Sequence, residues 1–174
     1  MLTFDRAGAE EFSAIRDFYW RLIDRMSEPE DHIGWRKGVY PADALLRECL
    51  EQGELYVLWE DGVLRGSVIL NSRCNQGYAG VAWGADCRAE EVLIPHALAV
   101  DPARQGAGLG RAIVAAVLDL ARAEGKRAVR LDILGGNEPA RRLYTRCGFR
   151  FVAAKPMYYE DTGWTEYEMY EYLL

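Results

Sequence analysis

Residues 103–114 read ARQGAGLGRAIV, a stretch that places Gly106, Gly108 and Gly110 directly before an apolar run. A glycine inside a helix costs about 1 kcal/mol relative to alanine, so three close together favour a loop. The pattern before this loop predicts a strand and the pattern after it predicts a helix. A helix that starts at such a loop leaves backbone N–H groups unpaired at the positive end of its dipole. The stretch therefore predicts a binding site for a phosphate or a pyrophosphate group.

Two common phosphate-binding motifs do not fit this loop. The dinucleotide fingerprint G-x-G-x-x-G, counted from Gly106, needs a glycine at the position of Arg111. The nucleotide P-loop needs a lysine and a hydroxyl residue after Gly110, where Arg111 and Ala112 follow instead. A nucleotide-binding protein is therefore the least favoured function class.

Hydrophobic periodicity predicts alternating helices and strands around the loop. The predicted helices are residues 9–26, 41–52, 111–124 and a short helix after Asn137, and the predicted strands are residues 54–59, 64–70, 92–100, 128–134, 149–154 and 165–174. The Asp61-Gly62 step predicts a tight hairpin, and Pro95 predicts a bulge, an edge or a local break in pairing. Residues 71–91 are polar and indicate a loop or a weak strand. Together these elements predict one α/β domain over residues 1–174, with a mixed, mostly antiparallel sheet flanked by helices.

Composition narrows the range of functions. The net charge of −6 argues against an extended nucleic-acid surface, which needs lysine and arginine along the phosphate backbone. The longest apolar run, residues 112–118, is far shorter than the roughly 20 residues that span a membrane, and the first residues lack a secretory pattern. The four cysteines are scattered without a C-x-x-C pair. We therefore expect a reducing compartment, the cytoplasm by default, and no metal site.

The motif that fits the loop is Q/R-x-x-G-x-G/A, which matches residues 105–110, QGAGLG. A second motif, N-x-x-A-x-x-L-Y followed by G-F, matches residues 137–144 and Gly148-Phe149. In this order and at this spacing, the two motifs resemble the GNAT superfamily of acyl-CoA-dependent N-acetyltransferases over about residues 92–152. The resemblance implies a GNAT-like fold and acetyl-CoA as the acyl donor, without a metal.

The resemblance also implies which residues bind the coenzyme. In this family the strand before the loop pairs with the pantetheine arm, the loop amides hold the pyrophosphate, and the second motif contacts the pantetheine and the sulfur. Carried over residue by residue, the cofactor-binding set is Leu98, Ala99, Val100, Gln105, Gly106, Ala107, Gly108, Leu109, Gly110, Arg111, Asn137 and Tyr144. Without the resemblance, Asn137 could be a simple helix cap and Tyr144 a core aromatic residue.

The implied reaction is direct attack of an amine on a thioester. An alkyl amine has a pKa of about 10.4 and must first lose a proton, while the leaving thiolate benefits from a proton donor. Tyr144 is the candidate catalytic acid. The base stays open among four candidates: Glu90, Glu91, Asp132 and His96. Asp132 could instead pair with a neighbouring arginine, and a lone strand histidine is more often packed and hydrogen-bonded.

The sequence indicates the acceptor less clearly than the acyl donor. Six aromatic residues lie in segments that flank acceptor clefts in similar proteins: Trp20, Trp35, Trp83, Tyr158, Tyr159 and Trp164. Residues 156–174 contain five acids and no lysine or arginine, which suits a small cationic amine. The alternation of the last strand, however, predicts that Glu166 and Glu168 form a solvated face.

Two hypotheses lead. The first is an N-acetyltransferase that acts on a small-molecule amine rather than on a protein. The second is an acyl-CoA-binding or sensor module without turnover, against which the retained Tyr144 argues. Neither a nucleic acid nor a membrane is expected as a partner, and the sequence leaves a homodimer open.

Overall fold

Seven strands form one sheet in the computed structural model, which describes residues 1–26, 34–104 and 106–174. The strands in these ranges are β1 (Leu2–Arg6), β2 (Leu55–Glu60), β3 (Val63–Asn71), β4 (Val92–Val100), β5 (Ala128–Leu134), β6 (Arg150–Tyr159) and β7 (Gly163–Leu173). The helices are α1 (Phe12–Arg25), α2 (Asp43–Glu51), α3 (Leu109–Ala123) and α4 (Glu138–Arg146). The strand order is β1-β2-β3-β4-β5-β7-β6, and β4 and β5 form the one parallel pair among these neighbours. The predicted α/β fold with a mixed, mostly antiparallel sheet is confirmed.

The strands on either side of the glycine loop and its helix, β4 and β5, have the predicted bounds. β1 has no predicted counterpart, because it is an edge strand whose mostly exposed residues lack a clear alternation. Residues 72–91, all described, contain two short 3-10 turns and no strand. β6 extends through Pro156, beyond its predicted end, since an edge strand tolerates a residue without an N–H group.

The β2–β3 hairpin turns at Asp61 and Gly62, as predicted. Their φ angles are 50° and 77°, and Glu60 pairs directly with Val63. A two-residue turn with both residues at positive φ matches the twist of the flanking strands. The hairpin brings Glu60 and the start of β3 to the edge of the glycine loop.

Helices cover both faces of the sheet. On one face, Ile113 and Val117 of α3 pack against Val68. On the other face, Ile15 and Tyr19 of α1 belong to a second buried cluster with α2. Full burial of an aliphatic side chain such as Ile113 contributes about 1.5–3 kcal/mol, so these faces fix the helices on the sheet.

Residues 72–91 cover the remaining part of the second face. The buried Arg130 of β5 donates from Nε to Glu171 Oε1 at 2.9 Å and lies 4.5 Å from the centroid of the Trp83 ring. This contact holds the loop against the sheet. It also places the buried Tyr78 beside β5.

No helix within residues 1–26, 34–104 and 106–174 has the length and hydropathy that a membrane span requires. The four cysteines are free thiols, of which Cys49 is buried.

Candidate active site

β4 and β5 separate shortly after they begin. Their parallel pairing joins Val92 to Ala128 and Leu93 to Val129, and in the described part of the chain it goes no further. β4 then stays with β3, and β5 stays with β7 as far as Leu134. The result is a wedge that widens toward the carboxyl ends of β4 and β5, which we term the sheet gap.

A bulge in β4 accompanies this separation. The pairing with β3 shifts between Ser67 and Ile69, and Ala97 has a φ of 50°. A residue with a side chain rarely adopts positive φ, so surrounding contacts must hold it there. The Tyr19 hydroxyl donates to the Ala97 carbonyl at 2.7 Å and provides such a contact. The irregularity predicted from Pro95 therefore occurs two residues later.

After the bulge, alternate residues of β4 direct their backbone groups into the sheet gap. The Asp101 N–H donates to the Arg65 carbonyl on β3 at 2.8 Å. Backbone groups of successive residues in such a strand point to opposite edges. The backbone N–H and C=O groups of Leu98 and Val100 thus face the sheet gap, whereas the backbone groups of Ala99 face β3. The contact of these residues with pantetheine stays a prediction, but two of the three have the required direction.

The three glycines of the loop serve different purposes. Gly106 and Gly108 have φ angles of 85° and 81°, and a β-carbon on either would meet no protein atom within 4 Å. The space beside them is open at the start of α3, as a bound phosphate group would require. Gly110 lies inside α3, where a β-carbon would come within 3.2 Å of Leu143 on α4. Gly110 therefore permits close packing of the two helices.

The other predicted loop residues differ in accessibility. Ala107 and Arg111 are exposed, so their side chains can reach a ligand. Leu109 is buried in the core and offers a ligand its backbone only. Gln105 lies outside the described residues, so its predicted role has no structural account.

An ionic network that the sequence did not reveal holds the start of the loop. Asp101 accepts from the Ala103 N–H at 2.9 Å and from Arg65 Nη1 at 2.6 Å. Glu60 lies 3.3 Å from Arg65 Nε and 2.6 Å from Arg104 Nη2. The network ties residues 101–104, which lead into the loop, to the β2–β3 hairpin.

Asn137 caps the start of α4, and Tyr144 lies in the second turn of that helix. The Asn137 side chain accepts from the Ala140 N–H at 3.1 Å, which confirms the cap and leaves the coenzyme contact as a prediction. Tyr144 is 7% exposed, and its ring centroid lies 5.4 Å from that of Phe149. Its hydroxyl has no hydrogen-bond partner among the described residues. Burial raises the pKa of Tyr144, with a smaller contribution from nearby Asp132, so the phenol is neutral and can donate a proton.

Asp132 lies on β5 and bonds to two tyrosines, not to an arginine. The hydroxyls of Tyr78 and Tyr159 both donate to its Oδ2, each at 2.8 Å. Its Oδ1 has no partner among the described residues. Burial raises the pKa of Asp132, although the two hydrogen bonds oppose this effect. The suggested arginine pairing is wrong because Arg130, on the same strand, bonds to Glu171 instead.

The other candidate bases lie in less suitable places. His96 Nε2 is 2.9 Å from Asn71 Oδ1, and burial lowers its pKa to about 4, so it is a packed, hydrogen-bonded histidine. Glu91 lies before β4 and pairs with Arg88 and Arg127 at the closed end of the sheet gap. At about 3.3 Å per residue, it is roughly 23–30 Å along the strand from Leu98 and Val100. Its neighbour Glu90 is exposed there as well.

Asp132 belongs to a group of tyrosines and acids on one face of the sheet. We term this group the tyrosine chamber; its members are Tyr40, Tyr78, Asp132, Tyr159, Asp161 and Tyr167. The rings of Tyr159 and Tyr167 lie 4.8 Å apart, and burial followed by nearby groups, Asp132 and Asp161 among them, raises the pKa of Tyr40. Of these six residues, Asp132 and Tyr159 were named from the sequence, and Asp161 and Tyr167 belong to the acidic, aromatic stretch 156–174 that predicts a cationic acceptor. The others occur in loops where single-residue patterns gave no signal.

The remaining aromatic residues named from the sequence lie at several separate places in the fold. Trp35 contacts Tyr40 at a centroid distance of 5.9 Å. Trp20 lies against the Arg16 guanidinium at 4.9 Å, and Trp83 belongs to the Arg130 contact. Tyr158 and Trp164 form an exposed pair near the β6–β7 turn.

The predicted solvated face of β7 is wrong at Glu168. This residue is 8% exposed, and it accepts from Arg141 Nε at 3.1 Å and from the Tyr170 hydroxyl at 2.8 Å. Helix α4 brings Arg141 over this face of β7 and shields Glu168 from solvent. Glu166, beyond the helix, is exposed as predicted. Among the described residues, no group of three or more His, Cys, Asp and Glu side chains could hold a metal ion.

Known protein sequences are similar to this chain. The acetyltransferase (GNAT) family matches residues 13–149 of the chain. An uncharacterized protein of Mycobacterium leprae is 31% identical over 147 residues, which cover 84% of this chain and 37% of that protein. The N-alpha-acetyltransferase RimI of Mycobacterium tuberculosis is 36% identical over 145 residues, which cover 83% of each protein. The chain thus spans little more than a third of the first relative and most of the second.

A solved structure supports the same fold. A Salmonella typhimurium protein, described as an acetyltransferase with its cofactor acetyl-CoA, has a TM-score of 0.71 at 22% identity, covering 99% of this chain and 94% of that one. At this identity the likeness shows the fold alone. The family match, however, covers most of the sequence, including the glycine loop and α4. The chain therefore belongs to the acetyltransferase (GNAT) family.

Proposed function

We propose that this chain transfers the acetyl group of acetyl-CoA to the primary amine of a small molecule. Acetyl-CoA supplies a thioester whose carbonyl carbon the amine attacks, so a C–N bond forms and the C–S bond breaks. The observation that carries the proposal is a pair of free polar groups beside the sheet gap, the Oδ1 of Asp132 and the hydroxyl of Tyr144. The first can accept the proton of the amine, and the second can donate a proton to the sulfur.

The chain offers contacts for the length of a coenzyme A molecule. The backbone groups of Leu98 and Val100 face the sheet gap and can pair with the amides of the pantetheine arm. The open space beside Gly106 and Gly108, at the positive end of α3, suits the pyrophosphate. Exposed Arg111 adds a positive charge at the same end.

Asp132 suits the role of base better than the other three candidates. A general base works best when its pKa is close to the operating pH, and burial moves the pKa of Asp132 in that direction. The hydroxyls of Tyr78 and Tyr159 hold one carboxylate oxygen and leave the other available. The tyrosines thus orient the carboxylate without using its free oxygen.

Tyr144 suits the role of acid because it stays protonated. Its pKa is raised, so the phenol holds its proton until thiolate charge develops on the leaving group. A module that binds acyl-CoA without turnover would need neither group, and the family match does not support that alternative. The free cysteines agree with the cytoplasmic location that we propose.

Thiol release tests the proposal directly. We expect the wild-type protein to release free thiol from acetyl-CoA when a small primary amine is present, and much more slowly without amine. The panel includes alkyl amines, amino acids and a peptide with a free N-terminus. Binding of acetyl-CoA with no amine-dependent release across the panel would contradict the proposed function and favour a binding module.

Gly108→Ala tests the pyrophosphate site. We expect acetyl-CoA affinity to fall about tenfold or more, because the new β-carbon would project into the space that the pyrophosphate needs; tenfold corresponds to about 1.4 kcal/mol. Calorimetric titration measures the effect, and a chelator should leave the wild-type affinity unchanged.

Gly125→Ala is the matched control for this variant. Gly125 follows α3, has a φ of 69°, and a β-carbon there also meets no atom within 4 Å. The control therefore carries the same backbone strain but lies far from the loop. Equal affinities for Gly108→Ala and wild type, or equal losses in both variants, would refute the site assignment.

A further inference from the structure

We propose that the acceptor carries a second cationic group, which Asp161 binds while its reacting amine faces Asp132. The inference rests on the proposed function and names the class of its substrate, a small diamine or a related dicationic amine. It starts from the tyrosine chamber, which has a carboxylate at each end.

Two tyrosines in ring contact, tilted by 57°, lie between the two carboxylates. The Tyr159 hydroxyl donates to Asp132, and the Tyr159 ring lies 4.8 Å from that of Tyr167. The Tyr167 hydroxyl is 2.7 Å from Thr162 Oγ1, in the residue that follows Asp161. Aromatic faces thus line the path from Asp132 to Asp161. Such faces attract cations, most strongly where water is displaced.

Gly34 lies against the end of the chamber that contains Asp161. A β-carbon on Gly34 would lie 2.5 Å from Thr162 Cγ2, 3.4 Å from Leu134 Cδ2 and 3.9 Å from Asp161 Oδ2. The backbone at Gly34 therefore lies directly against the β6–β7 turn and the end of β5. A carboxylate partly enclosed in this way has lost hydration and gains from a cation that replaces it.

Two tyrosine hydroxyls near Asp132 have no protein partner and are free to bind a ligand. Tyr40 has none among the described residues, and burial raises its pKa, followed by Tyr19 and then by Asp132 and Asp161. Tyr144, more than nine-tenths buried, is likewise without a partner and lies near Asp132 from the opposite side of the sheet. Neither hydroxyl is among the fully buried polar atoms that lack a partner in the described chain, so each is accessible to water or to a bound molecule.

The charges around Asp161 leave it available to a ligand. Burial raises the pKa of Asp161, and the amides of its turn and the more distant Arg36 oppose this effect, while Glu160 adds to it. Arg36 is exposed, and it forms no ion pair with Asp161 within 4 Å in the described chain. A second cation on the acceptor would therefore neutralise Asp161. A free amino acid would place its own carboxylate against two others, which is repulsive.

Acceptors of equal length but different end charge test the inference. We would measure kcat/KM by thiol release for 1,4-diaminobutane, 1-aminobutane and 4-aminobutanoate, and for diamines of two to five methylene groups. A charge-assisted contact predicts that the best diamine exceeds its monoamine by about tenfold or more, with the anionic amine lowest. A preference for the monoamine, the anionic amine or a peptide N-terminus would overturn the inference.

Asp161→Asn tests whether this one residue causes the preference for a diamine over a monoamine. Asparagine suits the same turn, so the change removes charge with little change of shape. We expect the ratio of diamine to monoamine kcat/KM to fall about tenfold, whereas Glu160→Gln, on an exposed neighbour, should leave this ratio unchanged. Thermal melting and acetyl-CoA affinity check that each variant is folded.

The outcomes separate this inference from the proposed function. If amines release thiol but Asp161→Asn keeps the wild-type ratio, the inference fails and the proposed function stands. If no amine releases thiol, the proposed function fails, and the substrate class falls with it.

Discussion

Asp132→Asn should lower kcat/KM for the best amine by about 10²–10⁴-fold, the usual contribution of a general base. Asparagine has the same shape, and its amide oxygen can still accept the hydrogen bonds of Tyr78 and Tyr159. It cannot accept the proton of the amine. Fold and acetyl-CoA affinity should therefore be close to those of the wild type, and steady-state thiol release measures the loss.

The pH profile gives a second measurement on the same variant. Because burial holds the pKa of Asp132 above its ordinary value, the wild-type rate should fall as the pH drops through that raised pKa and the carboxylate becomes protonated. The residual activity of Asp132→Asn should lack this acidic limb. Asp119→Asn, on the exposed face of α3 and paired with Arg122, is the matched control and should keep the wild-type profile. An acidic limb that persists in Asp132→Asn would assign the base elsewhere.

Tyr144→Phe should lower kcat and kcat/KM together, because thiolate charge develops only toward the transition state. The loss of a general acid costs about 10²–10⁴-fold, and we expect the low end because water can partly replace the hydroxyl. The phenylalanine ring keeps the contact with Phe149, so the fold should survive. Turnover is measured at saturating acetyl-CoA, and coenzyme affinity is measured separately by calorimetry.

Tyr172→Phe is the control for this variant. The Tyr172 ring also packs against Phe149, at 5.4 Å, but its hydroxyl accepts from Arg122 on the outside of the protein. It should retain wild-type turnover. If Tyr144→Phe stays within about twofold of the wild type, far below the range for a general acid, then Tyr144 is a packing residue.

The features that the sequence predicts well are those encoded within a few neighbouring residues. The bounds of β4 and β5, the Asp61-Gly62 hairpin and the Asn137 cap each depend on local pattern. The glycine loop is predictable for the same reason, since spacing alone distinguishes it from the dinucleotide and P-loop motifs.

The surroundings of the acid and the base depend on contacts between distant residues. Asp132 receives hydrogen bonds from Tyr78, 54 positions earlier, and from Tyr159, 27 positions later. No pattern within β5 shows that these hydroxyls meet on one carboxylate oxygen. Glu168 also depends on a distant residue. The alternation of β7 predicts that it is exposed, but Arg141 of α4 packs over it and buries it. Burial of a polar residue on a strand is set by what packs over it, and single-strand patterns do not contain that information.

The short parallel pairing between β4 and β5 leaves room in the sheet for the acyl donor. In the described chain, two residue pairs are all the strand pairing between β1–β4 on one side and β5–β7 on the other, while α3 packs across both groups of strands. A pantetheine arm bonded to Leu98 and Val100 would occupy the place of an absent strand. The donor would then act as a removable part of the architecture, completing the sheet between its two halves during the reaction and departing with the product.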